Sequence, residues 1–165
     1  MSEDALRGAA MGEWDDLEGV RDSLGAALDK FYWTEAAAIR ERLVDRVADS
    51  ATAMPVASAK QLLSAFRRKR RFADARRLAE ALIEAGTDDF AVAREYAQAS
   101  IDDGELLAAR AFLTDLVARD DSLDADRIEA RGLIGRVHKQ LFINAAKQNG
   151  SAREQNLVKS IRAYQ

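Results

Sequence analysis

Two short segments of this chain repeat at a step of 34 residues, and this step constrains the fold more than any other feature. Residues 72–76 have the sequence FADAR and residues 106–110 have LLAAR, so a large apolar residue precedes an alanine by three positions in each. A related segment, WTEA at residues 33–36, places its alanine 39 residues before Ala75. A step of this length is typical of a helix pair that recurs along a chain. Because one such pair cannot bury its own apolar face, neighbouring pairs must stack on each other.

Apolar residues recur at helical spacing along most of the sequence and predict eight helices. After a flexible N-terminus at residues 1–14, we expect antiparallel helix pairs at about residues 15–50, 55–87, 88–122 and 124–165. The predicted helix boundaries are a cap at Thr34, a first helical residue at Pro55, a stop at Gly86 and a capping box over residues 151–154. The predicted core of the fourth pair includes Ile128, Leu157, Val158, Ile161 and Tyr164.

The second and third pairs resemble tetratricopeptide repeats. The resemblance rests on the 34-residue step, on the apolar–alanine signature and on Ala97, which stands where that family has a small residue at a helix crossing. It extends over about residues 17–122, although Leu24 and Leu63 replace the small residue in the first two pairs. The resemblance implies an all-α, right-handed tetratricopeptide-like solenoid of about four antiparallel helix pairs that binds other proteins.

Residues 130–165 resemble a second helical family, the TRAF-binding helical domain of apoptosis-signal-regulating kinases and related bacterial proteins. The matching segments are GLIGRVHK at residues 132–139 and LVKSIRAY at residues 157–164, with His138 where tyrosine is usual. This resemblance implies a regulatory or scaffold part of a larger stress or defence protein.

The residue types needed for common catalytic sites are scarce. The chain has no cysteine and one histidine, His138, which argues against nucleophilic triads and ordinary zinc sites. We expect His138 to pack at a helix crossing, and the glycines Gly132 and Gly135 to allow close helix packing. Paired carboxylates fall at helix ends, where capping and the helix dipole explain them: Asp88-Asp89, Asp102-Asp103 and Asp120-Asp121. We therefore expect no catalytic residue, no metal and no cofactor.

The sequence also lacks the common signals for membrane insertion and secretion. No apolar run approaches the length of a membrane span, and the N-terminus lacks a basic segment followed by an apolar one. We expect a cytoplasmic protein without a membrane partner.

The charge is distributed unevenly along the chain. Residues 1–50 carry a net charge of −6 and the remainder carries +3, with five consecutive cations at residues 67–71. A solvated turn is one explanation of this basic run. The other is a patch that binds an acidic protein segment or nucleic acid. Few aromatic residues are close to the run in sequence, which argues against stacking on single-stranded nucleic acid.

The tetratricopeptide resemblance also implies which residues line a concave groove, because the first helix of each pair faces it in that family. The candidate partner-binding residues are Lys60, Ser64, Arg67, Arg68, Arg94, Gln98, Arg136 and Lys139. They form a basic stripe similar to the family's clamp for a peptide carboxylate, but without its asparagines. Salt bridges to acids in the first turns of helices, or simple exposure to solvent, are the competing explanation.

These features lead to one main functional hypothesis and two alternatives. We expect a protein-protein interaction scaffold that binds a partner with acidic or carboxylate-bearing character in the basic groove. The alternatives are a basic helical module that binds nucleic acid, and an assembly or dimerisation domain. Because the last helix reaches Gln165 without a polar closing helix, we also expect the chain to continue in a longer protein or its C-terminal end to be covered by another domain or chain.

Overall fold

The structure is a computed structural model that describes residues 12–119, 123–145 and 150–163, with side chains from residue 154 in the last range. Regular structure in these residues is entirely helical, which confirms the predicted all-α class. The helices are α1 (Leu17–Asp29), α2 (Trp33–Asp49), α3 (Val56–Arg68), α4 (Phe72–Glu84), α5 (Phe90–Asp103), α6 (Leu106–Ala118), α7 (Asp124–Ala145) and α8 (Gly150–Ala163).

In each of the first three pairs, the same type of backbone turn joins the two helices, and we call this turn the corner. In each corner a residue with positive φ follows the first helix: Phe31 at 61°, Arg70 at 57° and Gly104 at 93°. The next residue donates its N–H across the helix end, as in the bonds of 2.9 Å from Arg71 to the Phe66 carbonyl and from Glu105 to the Ser100 carbonyl. This is the Schellman arrangement that closes many helices.

The alanines of the repeated signature follow these corners at a constant distance. Ala36, Ala75 and Ala109 each lie five residues after the positive-φ position, and each is at most 1% exposed. Their N–H groups donate to the carbonyls of Tyr32, Arg71 and Glu105, the residues that open the second helices. The 34-residue step therefore corresponds to a repeated backbone path that buries the alanine of each signature.

The chain divides into two compact units, Met1–Tyr96 and Ala97–Gln165, with the boundary inside α5. In the first unit α1 packs against α2 and α3, while α4 packs against α2 and α3. Each helix contributes fully buried apolar side chains to this core: Leu24, Leu28, Leu43, Leu62, Leu63, Phe66, Leu78 and Leu82. This contact pattern is that of stacked helix pairs, as predicted; the handedness of the stack stays a prediction.

In the second unit α7 packs against both α6 and α8. Ala109 and Leu113 of α6 and Val137 of α7 are fully buried. None of the helices in the described part of the chain combines the length and the apolar content needed to cross a membrane.

The predicted core of the fourth pair is partly wrong. Ile128 is 69% exposed, and Leu157, Val158 and Ile161 are between 44% and 52% exposed. Among residues 154–163 of α8, the buried side chain is instead Ser160, whose hydroxyl donates a 3.1 Å hydrogen bond to the carbonyl of Gly135 in α7. A small side chain that satisfies a backbone carbonyl lets the two helices approach closely, so the polar-small face of α8 packs inward. Tyr164 lies outside the described residues.

Three local predictions also need correction. Thr34 lies inside α2, because Tyr32 occupies the N-cap without a side-chain bond, and Pro55 is the N-cap of α3 rather than its first residue. Gly132 does not serve close packing: among the described residues, no heavy atom beyond its chain neighbours and the adjacent backbone of its own helix lies within 4 Å of the place a Cβ would take. The predicted stop at Gly86 is confirmed by its φ of 87° and a 2.9 Å bond from Thr87 to the Leu82 carbonyl.

The last two residues of the predicted flexible N-terminus, Glu13 and Trp14, make contacts with the folded part of the chain. The Glu13 carboxylate accepts hydrogen bonds from the backbone N–H groups of Ala51 (2.9 Å) and Thr52 (3.0 Å). The indole of Trp14 donates to the Thr52 carbonyl, and the Arg46 guanidinium lies 4.7 Å from the Trp14 ring centroid. Residues 13 and 14 are thus attached to the link between the first two pairs.

Candidate functional site

An open groove runs between the first helices of the first two pairs. We call it the α1–α3 groove, and its volume is about 830 Å³. The groove has a basic side from α3 and a mixed side from α1. Its lining residues are Arg21, Asp22, Gly25, Ala26, Asp29, Ala57, Lys60, Gln61, Ser64, Ala65 and Arg68.

Two cations of this groove have no ion-pair partner among the described residues, although the charge of Arg68 contributes to the lowered pKa of the Asp29 carboxyl. Lys60 and Arg68 are exposed on α3, and neither forms an ion pair with a residue that the structure describes. Arg21 across the groove differs, because its guanidinium contacts Asp22 at 3.1 Å and the Gln61 amide oxygen at 3.1 Å. Lys60 and Arg68 are therefore the groove cations available to an incoming anion.

The two acids at the groove edge are held by other residues. Asp29 accepts from Lys69 at 2.8 Å, and this hydrogen bond lowers the pKa of the Asp29 carboxyl. Asp22 contacts Arg21 on the same helix. Each acid near the groove thus has a cation beside it, and the groove keeps a basic character.

The groove has small side chains along its floor. Gly25 and Ala26 of α1 face Ala57 and Ala65 of α3. Among the described residues, a Cβ on Gly25 would meet no heavy atom within 4 Å beyond its chain neighbours and the adjacent backbone of α1, so helix packing does not explain this glycine. A glycine inside a helix costs about 0.5–1 kcal/mol relative to alanine, while it permits close approach of another backbone. The small side chains therefore leave the floor of the groove open next to α1.

Two predicted site residues of the first unit are engaged by one buried acid. Arg67 donates to the Glu95 carboxylate at 2.6 Å, and Arg94 lies 3.7 Å from the other oxygen of the same group. Glu95 is 8% exposed. Arg67 and Arg94 therefore neutralise a buried carboxylate, so ion pairing within the chain explains both, although Glu95 lies beyond the first turn of its helix.

The remaining predicted site residues belong to the second unit. Arg136 donates to the Asp102 carboxylate at 2.5 Å, so it too has a partner within the chain. Gln98 is half-buried on α5, and Lys139 is exposed on α7. All eight candidates lie on first helices of their pairs, as predicted. The structure brings Lys60, Ser64 and Arg68 together in one groove.

One group of exposed residues escaped the sequence analysis. Phe31, Tyr32 and Trp33 form the corner between α1 and α2, and they lie beside the basic corner between α3 and α4. Lys69 Nζ lies 5.8 Å from the Phe31 ring centroid, and the Arg71 guanidinium lies 5.2 Å from that of Trp33. We call residues 31–33 and 69–71 the aromatic–basic corner. Three consecutive aromatic residues were the available signal, but their distance of nearly 40 residues from the basic run concealed the contact.

The paired carboxylates behave as helix-end residues where they are described. Asp89 accepts hydrogen bonds from the N–H groups of Ala91 (2.9 Å) and Val92 (3.2 Å), and so caps α5. Asp102 and Asp103 end the same helix, while residues 120 and 121 lie outside the described residues. Among the described residues no three His, Asp or Glu side chains are grouped to hold a metal ion.

His138 is buried in α7, which confirms its predicted packing role. Burial is the largest cause that lowers the pKa of this imidazole below its ordinary value of 6.5, and the charges of Arg110 and Lys159 lower it further. A hydrogen bond with Asn156 opposes them in part. The Nδ1 atom has no hydrogen-bond partner among the described residues.

This environment predicts a pH-dependent stability. The unfolded chain binds the His138 proton at about pH 6.5 and the folded chain only at lower pH, so the free energy of unfolding should fall as the pH drops below about 6.5. The slope from this group is at most about 1.4 kcal/mol per pH unit. Thermal unfolding from pH 5 to 8 should show that the difference between the parent chain and His138→Gln changes only below about pH 6.5. A constant difference would contradict this assignment.

The comparisons with known proteins agree with the helix-pair architecture. The model of the family described as TPR-S, Tetratricopeptide Repeats-Sensor, matches residues 71–165, more than half of the chain. The matched part begins at the basic corner and includes α4 to α8, while α1 to α3 precede it. No curated protein and no solved structure matches the chain. With its helix pairs and this match, the chain belongs to the Tetratricopeptide Repeats-Sensor family.

Proposed function

We propose that this chain is a non-catalytic protein-binding module that holds an acidic or carboxylate-bearing segment of its partner in the α1–α3 groove. A tetratricopeptide-type domain is a protein-protein interaction module, and this family relationship sets the class of function. The finer part of the proposal, the acidic segment and its location, rests on the groove.

The observation that carries the proposal is the pair of available cations, Lys60 and Arg68, beside a floor of small residues. They are eight residues apart on one helix, which corresponds to about 12 Å along its axis. An extended chain covers about 3.3–3.6 Å per residue. Two carboxylates three or four positions apart would therefore reach both cations, and the side chains between them would lie over Gly25 and Ala26.

A direct test uses a fluorescent peptide with two glutamates separated by three residues. We expect each reversal, Lys60→Glu and Arg68→Glu, to raise the dissociation constant about 3- to 10-fold, because an exposed charge pair contributes about 0.2–1 kcal/mol and its reversal adds repulsion. Fluorescence anisotropy measures this. The matched control is Arg77→Glu, which changes the net charge equally at an exposed position on α4.

The chemistry of the peptide separates two forms of the proposal. A clamp for a chain end predicts weaker binding when the C-terminal carboxylate is amidated, whereas recognition of acidic side chains predicts weaker binding when the glutamates become glutamines. Both forms predict that affinity falls as salt rises. Equal effects of Lys60→Glu and Arg77→Glu would show that the groove is not the site.

Two further parts of the hypothesis depend on partners of this chain. The resemblance of residues 130–165 to a domain of stress-signalling kinases supports a regulatory part in a larger stress or defence protein, located in the cytoplasm. The exposed apolar residues of α8, Leu157, Val158 and Ile161, favour the alternative of an assembly domain at that end. Light scattering of the chain at increasing concentration tests the second of these.

A further inference from the structure

The aromatic–basic corner combines two neighbouring turns of the first unit. Phe31 occupies the positive-φ position of the first helix pair, and Arg70 occupies the equivalent position of the second. Lys69 connects the turns, because its ammonium group contacts Asp29 at 2.8 Å and lies over the Phe31 ring.

Both positions hold residues that the backbone disfavours. Left-handed φ values suit glycine and burden a residue with a Cβ, above all a bulky one. The third pair has Gly104 at the equivalent position, which shows that the same corner forms with glycine. Phe31 is 65% exposed, so burial does not offset this strain. Strain at an exposed position is typical of residues that serve binding rather than folding.

The exposed rings form a platform with cations at its edge. Tyr32 is 55% exposed, and Phe31 meets Trp33 edge to face, with centroids 5.4 Å apart and planes at 76°. The cations Lys69 and Arg71 lie within 6 Å of ring centroids. Exposed aromatic faces beside Lys and Arg are the components with which proteins hold single-stranded nucleic acid, by stacking bases and by neutralising phosphates.

We propose that the aromatic–basic corner binds single-stranded nucleic acid, with bases stacked on Phe31 and Tyr32 and a phosphate at Arg70. Arg70 forms no ion pair with the described residues, whereas Lys69 and Arg71 are paired with Asp29 and Asp74. This surface shares no residue with Lys60 and Arg68, the cations assigned to the acidic peptide, but it adjoins the groove, because Asp29 of the groove lining contacts Lys69. Phe31 and Tyr32 are more exposed than Trp33, so within the corner they provide the stacking faces. Arg70, at the tip of its turn, provides a cation next to them.

The geometry favours nucleic acid over two other anionic partners. Insertion of the rings into a lipid bilayer would carry Lys69 and Arg71 toward the hydrocarbon, because both cations are held against ring faces, and buried charges are costly there. An acidic peptide would use the cations but would leave the rings exposed. A base with its phosphate satisfies rings and cations together.

The test compares a fluorescent 20-nucleotide oligo(dT) and oligo(U) with a duplex of the same length by fluorescence anisotropy. The single strands should bind, and the duplex should bind more weakly. Phe31→Gly should weaken single-strand binding about 10-fold, because base stacking on an aromatic side chain is lost. The same substitution relieves the strained corner, so the melting temperature should not fall. Weaker binding by an equally stable or more stable protein separates a binding role from a structural one.

Matched variants identify the interaction. Phe31→Leu keeps the backbone strain and an apolar side chain but removes the ring, and should also lose binding, whereas Phe31→Trp should retain it. Arg70→Gly should weaken binding about 3- to 5-fold and reduce the salt slope by about 0.7. Lys60→Glu, in the α1–α3 groove, should lower the affinity for the oligonucleotide less than Arg70→Gly does.

Three results would overturn the proposal. The first is no single-strand binding at low salt. The second is full binding by Phe31→Gly. The third is binding to phosphatidylserine vesicles or polyglutamate, but not to oligonucleotides, that depends on Phe31 or Arg70. A choice between DNA and RNA follows from the relative affinities of oligo(dT) and oligo(U).

Discussion

Replacing Asp74 with alanine should lower the free energy of unfolding by about 3–5 kcal/mol. This carboxylate is 3% exposed and accepts hydrogen bonds from two arginines, Arg40 of α2 and Arg71 at the start of its own helix. The Arg71 Nε–Asp74 Oδ2 distance is 2.5 Å. Without Asp74, Arg40 would retain a largely buried charge whose remaining partner is Glu41 on the same helix.

Urea unfolding of the parent chain and Asp74→Ala measures this loss. The control is Asp45→Ala, an exposed acid on α2, which should change stability by no more than about 0.5 kcal/mol. A second variant tests the cause: Arg40→Met combined with Asp74→Ala should recover part of the loss, since the unpaired charge is removed as well. If the double variant is less stable by the sum of both single losses, Asp74 and Arg40 act independently.

Replacing Ala109 with phenylalanine should destabilise the second unit by about 3 kcal/mol through overpacking. Ala109 is fully buried in α6, and its N–H bonds to the Glu105 carbonyl at 2.9 Å. A ring at this position has no space to occupy, so neighbouring side chains and the corner at Gly104 would have to shift.

The residue beside Ala109 provides the control for this prediction. Ala108 is exposed on the same helix, so Ala108→Phe should change stability by less than about 0.5 kcal/mol. Thermal unfolding compares the two variants at the same pH and salt. Similar stabilities would mean that Ala109 is not at a tight helix crossing.

The repeated corners explain why much of the fold could be predicted from the sequence. Ala36, Ala75 and Ala109 are small because the helices are close there, and their spacing follows from the backbone path. The geometry of the turn restricts the residue type at these positions, so the sequence pattern indicates them. Apolar periodicity predicted the wrong buried face for α8, because such a prediction assumes that apolar residues face inward. Ser160 faces inward because a backbone carbonyl of α7 accepts its hydroxyl hydrogen bond, and no periodicity of apolar residues indicates this.

The candidate site was less predictable because it depends on which charges are paired. Register alone placed Lys60 and Arg67 on one helix, yet Arg67 bonds to Glu95 while Lys60 has no ion pair with the described residues. That difference depends on an acid 28 residues away in the chain. The contact between Phe31 and Lys69 likewise follows from the packing of α1 on α3. Pairing between distant segments decides such features, and sequence spacing does not contain it.

The shared corner also has a consequence for how chains of this type can change. The same turn forms with phenylalanine, arginine or glycine at its positive-φ position. A substitution there therefore costs at most about 1–2 kcal/mol and leaves the path of the helices intact. Each of the first three helix pairs thus offers one exposed position that accepts different side chains without a change in the backbone path. New ligand preferences can arise at these positions one substitution at a time, while the helical framework continues to fold.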